Sequence, residues 1–366
     1  MRGCATVTTV IRRRGAAAAA LTAVLGLVLS SCASGPSQVN AAAIIDGEVI
    51  SVGQVQELVA QAQRAEPATA VLATQRKLPY LSRGVLEKLI NHRLIEAYQK
   101  RTPVTIDESL VAQGADRLAA TTDQLPADGA GVPVEAIVNN AVTKSFPAQE
   151  QIRDLLLLNA IGSSRNTQQV TVDLVAFDDA AASSEGTARD RAMAKANQLA
   201  ALTTAEADAL IQKESAENRA KAQQQDASGQ PVTVPLWQTG ATFSSGDAEQ
   251  VPDAIVNTPL FGSAPGSVVV FKYDQPSQSG ETSTVWYLGV IKAVKDGPKV
   301  SAGQAANAFS ARNVAFGQRA LHSVVNDFGL ELSPRYGVFD RATLSIAPSE
   351  GETNGAVLHL KDAKTP

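Results

Sequence analysis

The chain has 366 residues, 44% of them hydrophobic and 19% charged, which is length for two or three domains and enough apolar content for real cores. A net charge of −4 gives no electrostatic footing for nucleic acid, and 4% aromatics gives none for a base-stacking platform. Two cysteines and three histidines exclude a disulfide framework and leave few ligands for a metal site.

The chain opens on an address. Arg12, Arg13 and Arg14 form a basic start, and no acid precedes Asp46. Residues 16–29 are apolar and uncharged, the length of a signal-peptide core and too short for an ordinary membrane span. The run ends in Leu29-Ser30-Ser31-Cys32, which resembles the bacterial lipobox. The resemblance implies that residues 1–31 are removed and that Cys32 carries a thioether-linked diacylglycerol on the outer face of a bacterial cytoplasmic membrane. A thiol is nucleophilic enough for that transfer, and acyl chains anchor by burying CH₂ groups. Processing discards Cys4 and four arginines, taking the net charge from −4 to −8 and leaving one cysteine, so a disulfide within the mature monomer is ruled out. The arginine run leaves the export route open between general and twin-arginine secretion. Residues 32–43, with Ala33-Ser34-Gly35-Pro36-Ser37, read as a flexible tether.

Residues 42–50 predict a strand–turn–strand element around Asp46-Gly47. Ser51 then caps a helix whose apolar face carries Val52, Val55, Leu58, Val59 and Ala62, closed near Pro67. A second helix over 82–100 has a wide stripe of Val85, Leu86, Leu89, Ile90, Leu94, Ile95 and Tyr98, and Pro103 stops it. Thr105-Ile106-Asp107-Glu108 spells a capping box for a third helix through Leu110 and Leu118. Helices over 134–142 and 148–161 follow, with Gly162 as the stop signal of the second.

The composition changes at Gln168. Residues 170–177 alternate and are β-branched, so they predict a strand. Helices over 187–202 and 205–225 come next, then an irregular stretch containing Trp237 and Gly240 and a short helix over 252–260. Strands over 267–273 and 284–294 flank a polar hairpin loop, which makes a compact α+β domain. Residues 302–325 predict a helix, Leu330-Glu331-Leu332 a short strand, and 341–366 a flexible tail.

Motifs that carry chemistry are scarce. No H-E-x-x-H, G-x-G-x-x-G or Walker A run occurs, so no metal or nucleotide cofactor is expected. Gly262-Ser263-Ala264-Pro265-Gly266 lacks the spacing of a nucleophile elbow and reads as a turn. Asp107-Glu108 suits the electrostatics of a helix N-terminus, and 187–225 a solvated helical pair. His92, beside the apolar stripe, reads as a surface or capping residue; His322 falls on the last helix and His359 in the tail.

On these residues the chain resembles a family. Ile45-Asp46-Gly47-Glu48-Val49-Ile50-Ser51, followed by a helix and the segment 86–98 (LEKLINHRLIEAY), is similar to the N-terminal domain of SurA and PrsA type extracytoplasmic chaperones. Residues 169–297 look like a parvulin prolyl isomerase domain in the first strand, two helices, Trp237…Gly240, Val251-Pro252-Asp253, Phe261, Pro265-Gly266-Ser267-Val268 and the closing strand. The resemblance implies an α+β protein with a mainly helical first domain over 44–167 and a parvulin-like domain over 168–298. The segment 299–340 then returns to pack on the first domain. Active parvulins carry a histidine on the first strand and another on the last, facing across the proline pocket. Here Val172-Asp173-Leu174-Val175 and Tyr287-Leu288-Gly289-Val290-Ile291 hold none, and His92, His322 and His359 all lie outside the domain.

The expectation is a lipid-anchored chaperone that holds unfolded or newly exported polypeptides without covalent chemistry, cofactor or nucleic acid. Two other readings stand beside it: a prolyl isomerase with a non-histidine site, and an adaptor for one cell-envelope protein. Leu58, Leu86 and Tyr98 are expected to be core, and no client-binding residue or oligomeric state is assigned.

Overall fold

The computed structural model of the chain describes residues 40–121, 125–164, 168–179, 186–225, 229, 232–247, 251–276, 282–297 and 309–363. Cys32 and the expected signal segment lie outside the described residues. Asn40–Pro366 forms one compact unit of mixed helical and antiparallel-strand structure, in two lobes.

The first lobe begins with β1 (Ala41–Ile45) and β2 (Glu48–Ser51), joined where Asp46 and Gly47 both take positive φ. That is the tight turn the dipeptide favours. Ser51 caps α1 (Val52–Ala65), its Oγ accepting from Gln54 N–H at 3.1 Å. A short α2 (Ala70–Thr74) leads to α3 (Leu78–Arg101), whose buried Leu81, Val85, Leu86, Ile90, Leu94 and Ile95 form the spine of the lobe. The helices α4 (Glu108–Thr121), α5 (Val134–Ser145) and α6 (Ala148–Ser164) complete it. Asp107, not Thr105, makes the observed bond at the start of α4, accepting from Ser109 N–H at 2.8 Å.

The second lobe is a five-stranded antiparallel sheet in the order β10-β5-β6-β3-β4. Its strands are β3 (Gln168–Asp178), β4 (Gln238–Ser244), β5 (Ser267–Pro276), β6 (Thr282–Asp296) and β10 (Gly355–His359). α7 (Ala188–Ala200) and α8 (Thr204–Ala222) cover one face. Ala188, Ala192 and Ala196 lie against Val175, Val268, Leu288 and Trp286, the small side chains bringing helix and sheet together. The other face, with Val170, Val172, Val269 and Ile291, packs on Val256 of the short α9 (Asp253–Val256), on Phe261 and on Phe316.

Phe316 belongs to α10 (Ala311–Ala320), which is followed by α11 (His322–Phe328) and β7 (Leu330–Leu332). α10 also lies on α6, and β7 pairs with β1, Ala43 opposite Leu332 and Ile45 opposite Leu330. The last part of the chain therefore binds both lobes. β8 (Val338–Asp340) and β9 (Ser345–Ala347) form a hairpin whose Ile346 N–H donates to Glu87 Oε2 at 3.1 Å.

Several expectations are corrected. The segment 341–366 is not a loose tail over its described part: β10 pairs along β5 from Gly355 opposite Phe271 to His359 opposite Ser267, and Leu344 and Leu360 are buried. Its apolar runs are too short for a periodic signal, and a neighbouring strand stabilises them. Residues 41–43 are not tether but buried β1. The helix expected over 302–325 is, in the described residues, two helices starting after the cap Ser310, and 301–308 lie outside them. The stretch around Trp237 and Gly240 is ordered: Trp237 is core and Gly240 lies in β4.

Gly162 does not stop α6, which runs to Ser164. It is where α6 meets α10. A Cβ on Gly162 would lie 1.8 Å from the Asn313 carbonyl oxygen, and one on Gly317 1.9 Å from that of Leu158. The two backbones touch there through paired glycines.

Candidate functional site

The strand pair singled out by the resemblance, β3 and β6, is adjacent in the sheet, with Asp173 opposite Val290 and Leu174 opposite Gly289. Asp173 is buried, and its Oδ1 accepts from Gly240 N–H at 2.7 Å. Gly240 has φ +67, which glycine adopts without the strain of a side chain. Asp173 Oδ2 lies 3.9 Å from Lys292 Nζ, and Lys292 donates to Asp208 of α8. The carboxylate is thus engaged by a backbone donor and an ammonium. On the opposite face, a Cβ on Gly289 would stand 2.9 Å from Val172 Cγ2 and 3.3 Å from Leu174 Cδ1. Aliphatic side chains fill that face of the strand pair.

The three histidines fall in separate settings. His92 is half-buried between helices, not a surface or cap residue, with Nδ1 3.0 Å from both Asp154 carboxylate oxygens. That bond, with the Asp154 and Glu96 charges, raises its pKa against the effect of burial. His322 is fully buried, and burial together with Arg319 and Arg341 holds its pKa far below the ordinary value. His359 is partly buried, with Nδ1 3.4 Å from Oγ of the fully buried Ser267. Among the described residues no group of three His, Cys, Asp or Glu is placed to hold a metal ion. Asp107 and Glu108 do not act together: one caps α4, and the other pairs with Arg153 at 2.6 Å.

A cleft of about 330 Å³ opens instead on the helical lobe. Its walls are Val55, Gln56, Val59 and Gln63 of α1, Leu78, Pro79 and Arg83 from the start of α3, and Arg335 and Tyr336 of the turn after β7. Val55 and Tyr336 are buried and give it an apolar floor. Tyr80, 42% exposed, stands beside it with the Arg83 guanidinium 4.6 Å from its ring centre. The volume lies within the range of small-ligand sites, and apolar surface with a few polar groups is their usual lining. The cleft can hold side chains by contact and main chain by hydrogen bonds. Ser82 also lines it, its Oγ donating to the Leu78 carbonyl at 3.5 Å, and among the described lining residues there is no His, Lys, Asp or Glu.

Leu86 and Tyr98 are core, and Leu58 is partly buried against it. The sequence pattern missed the cleft because three separated elements build it. The available signals were Leu78-Pro79-Tyr80 ahead of the α3 stripe and the Arg335-Tyr336 pair.

Comparison with protein-family models, with curated proteins and with solved structures found no match to this chain.

Proposed function

We propose that the protein is a lipid-anchored extracytoplasmic chaperone, similar in plan to the SurA type, that holds unfolded or newly exported polypeptides without covalent chemistry. The observation that carries this reading is the open cleft on the helical lobe, with an apolar floor and amide and guanidinium groups in its walls. Supporting it is the order of elements. The strand–turn–strand opening, the helical lobe, the β3–α7–α8–β4–α9–β5–β6 lobe and the returning C-terminal helices follow the layout the resemblance implies. The engaged Asp173 and the aliphatic packing around Gly289 favour holding over isomerisation.

The chain from residue 33 is expected to suppress aggregation of an unfolded client at stoichiometric amounts and to leave a protease-coupled proline-peptide assay at background. No suppression counts against holding, and a rate above background moves the reading to an isomerase. Capture of a single stoichiometric partner from membranes would favour the adaptor. For the anchor, Cys32→Ala is expected to release the protein from the membrane fraction or to leave an unprocessed precursor. An unchanged lipid-bearing mass would refute lipidation at Cys32.

A further inference from the structure

The cleft is one-sided in charge. Arg83 stands on α3 and Arg335 on the turn after β7, and each guanidinium lies over an aromatic ring, Tyr80 at 4.6 Å and Tyr336 at 5.6 Å. Stacking uses the face of a guanidinium and leaves its N–H edge to other partners. Among the described residues no Asp or Glu lines the cleft. On a chain with 36 acids against 32 bases, an acid-free pocket holding two arginines discriminates by charge.

We propose that the cleft selects extended polypeptide segments that carry an apolar side chain next to an aspartate or glutamate. The apolar group fills the floor at Val55 and Tyr336 between the walls of Val59 and Leu78, and the carboxylate takes charge-assisted hydrogen bonds from Arg83 and Arg335. Gln56 and Gln63 meet the main-chain amides of the extended segment. A volume of about 330 Å³ takes a short extended segment and not a folded domain. A segment with only apolar side chains gains the floor and leaves both cations as they were, and a basic one is repelled. The inference rests on the polypeptide-holding reading above and adds to it a preferred client chemistry.

The test uses the chain from residue 33 and fluorescent peptides read by anisotropy, with both ends blocked except where stated. One peptide carries Leu beside Asp and Glu, a second has Asn and Gln in their place, and a third has no side-chain acid but a free C-terminal carboxylate. The acidic peptide is expected to bind at least tenfold tighter than the amide peptide. That advantage should shrink with added salt and vanish in R83Q/R335Q. Q56E, which adds an acid to the wall and leaves both arginines in place, is expected to reduce the preference without changing the melting temperature. Equal binding of the acidic and amide peptides overturns the proposal, as does equal binding of the free-carboxylate peptide. If no peptide binds while aggregation is still suppressed, the selection falls and the holding reading stands. If aggregation is also unaffected, both fall.

Discussion

Gly317→Ala is expected to destabilise the protein by about 1–3 kcal/mol, the usual cost of overpacking a well-filled contact. The added Cβ would enter to 1.9 Å from the Leu158 carbonyl oxygen, and Gly162→Ala would meet the Asn313 oxygen at 1.8 Å. Both obstacles are backbone, so no rotamer change relieves them, and α6 and α10 must move apart. Alanine in place of glycine inside a helix normally gains up to about 1 kcal/mol, which sets the direction of the test. Urea midpoints below wild type for both variants show that contact outweighs propensity. A midpoint at or above wild type would mean that the helices separate at little cost. The double variant should lose less than the two single losses together, because the first alanine already opens the contact the second would crowd.

Arg319→Met is expected to cost more, about 3–5 kcal/mol, the range for removing one member of a buried charged network. Arg319 is fully buried on α10. Its Nε donates to the Phe261 carbonyl at 3.1 Å, Nη1 to that of Ala342 at 2.7 Å, and Nη2 to that of Arg341 at 3.3 Å. Burial lowers its pKa to about 9, and the nearby Asp340 carboxylate opposes the shift. Methionine fills much of the stem volume but takes the guanidinium donor from the Phe261 and Ala342 carbonyls, each a desolvation cost of about 1–3 kcal/mol before relaxation. Arg319→Lys is expected to recover only part of the loss, since an ammonium cannot reproduce a planar fork aimed at carbonyls on two segments. Thermal melts of the three proteins decide this. A Met variant within about 0.5 kcal/mol of wild type would show that the carbonyls find other donors, a shift no larger than an ordinary surface substitution makes.

Local chemistry made some parts of the fold legible. The Asp46-Gly47 turn, the Ser51 cap and the α3 stripe each follow from neighbouring residues, and each is found where the pattern places it. What stayed hidden depends on partners remote in sequence. Gly162 looks like a helix end because glycine commonly is one, and only Gly317 of α10 explains why the helix runs through it. β10 carries five residues with no flanking pattern and owes its form to β5. The site divides in the same way. The absent histidine pair is visible in the letters of β3 and β6, whereas the tie from Gly240 to Asp173 needs the strand β4 that irregular spacing concealed.

The pairing of β1 with β7 and of β5 with β10 also bears on the order in which the molecule takes shape. A polypeptide made from its N-terminus presents Ala43 long before Leu332, and Phe271 long before Gly355. Each lobe therefore waits, with one strand edge unmatched, for residues synthesised much later. Closing such long loops is slow, and exposed edges invite pairing with other chains in the meantime. By its own connectivity, the molecule keeps an open edge on β1 until residues 330–332 have emerged and on β5 until residues 355–359 have.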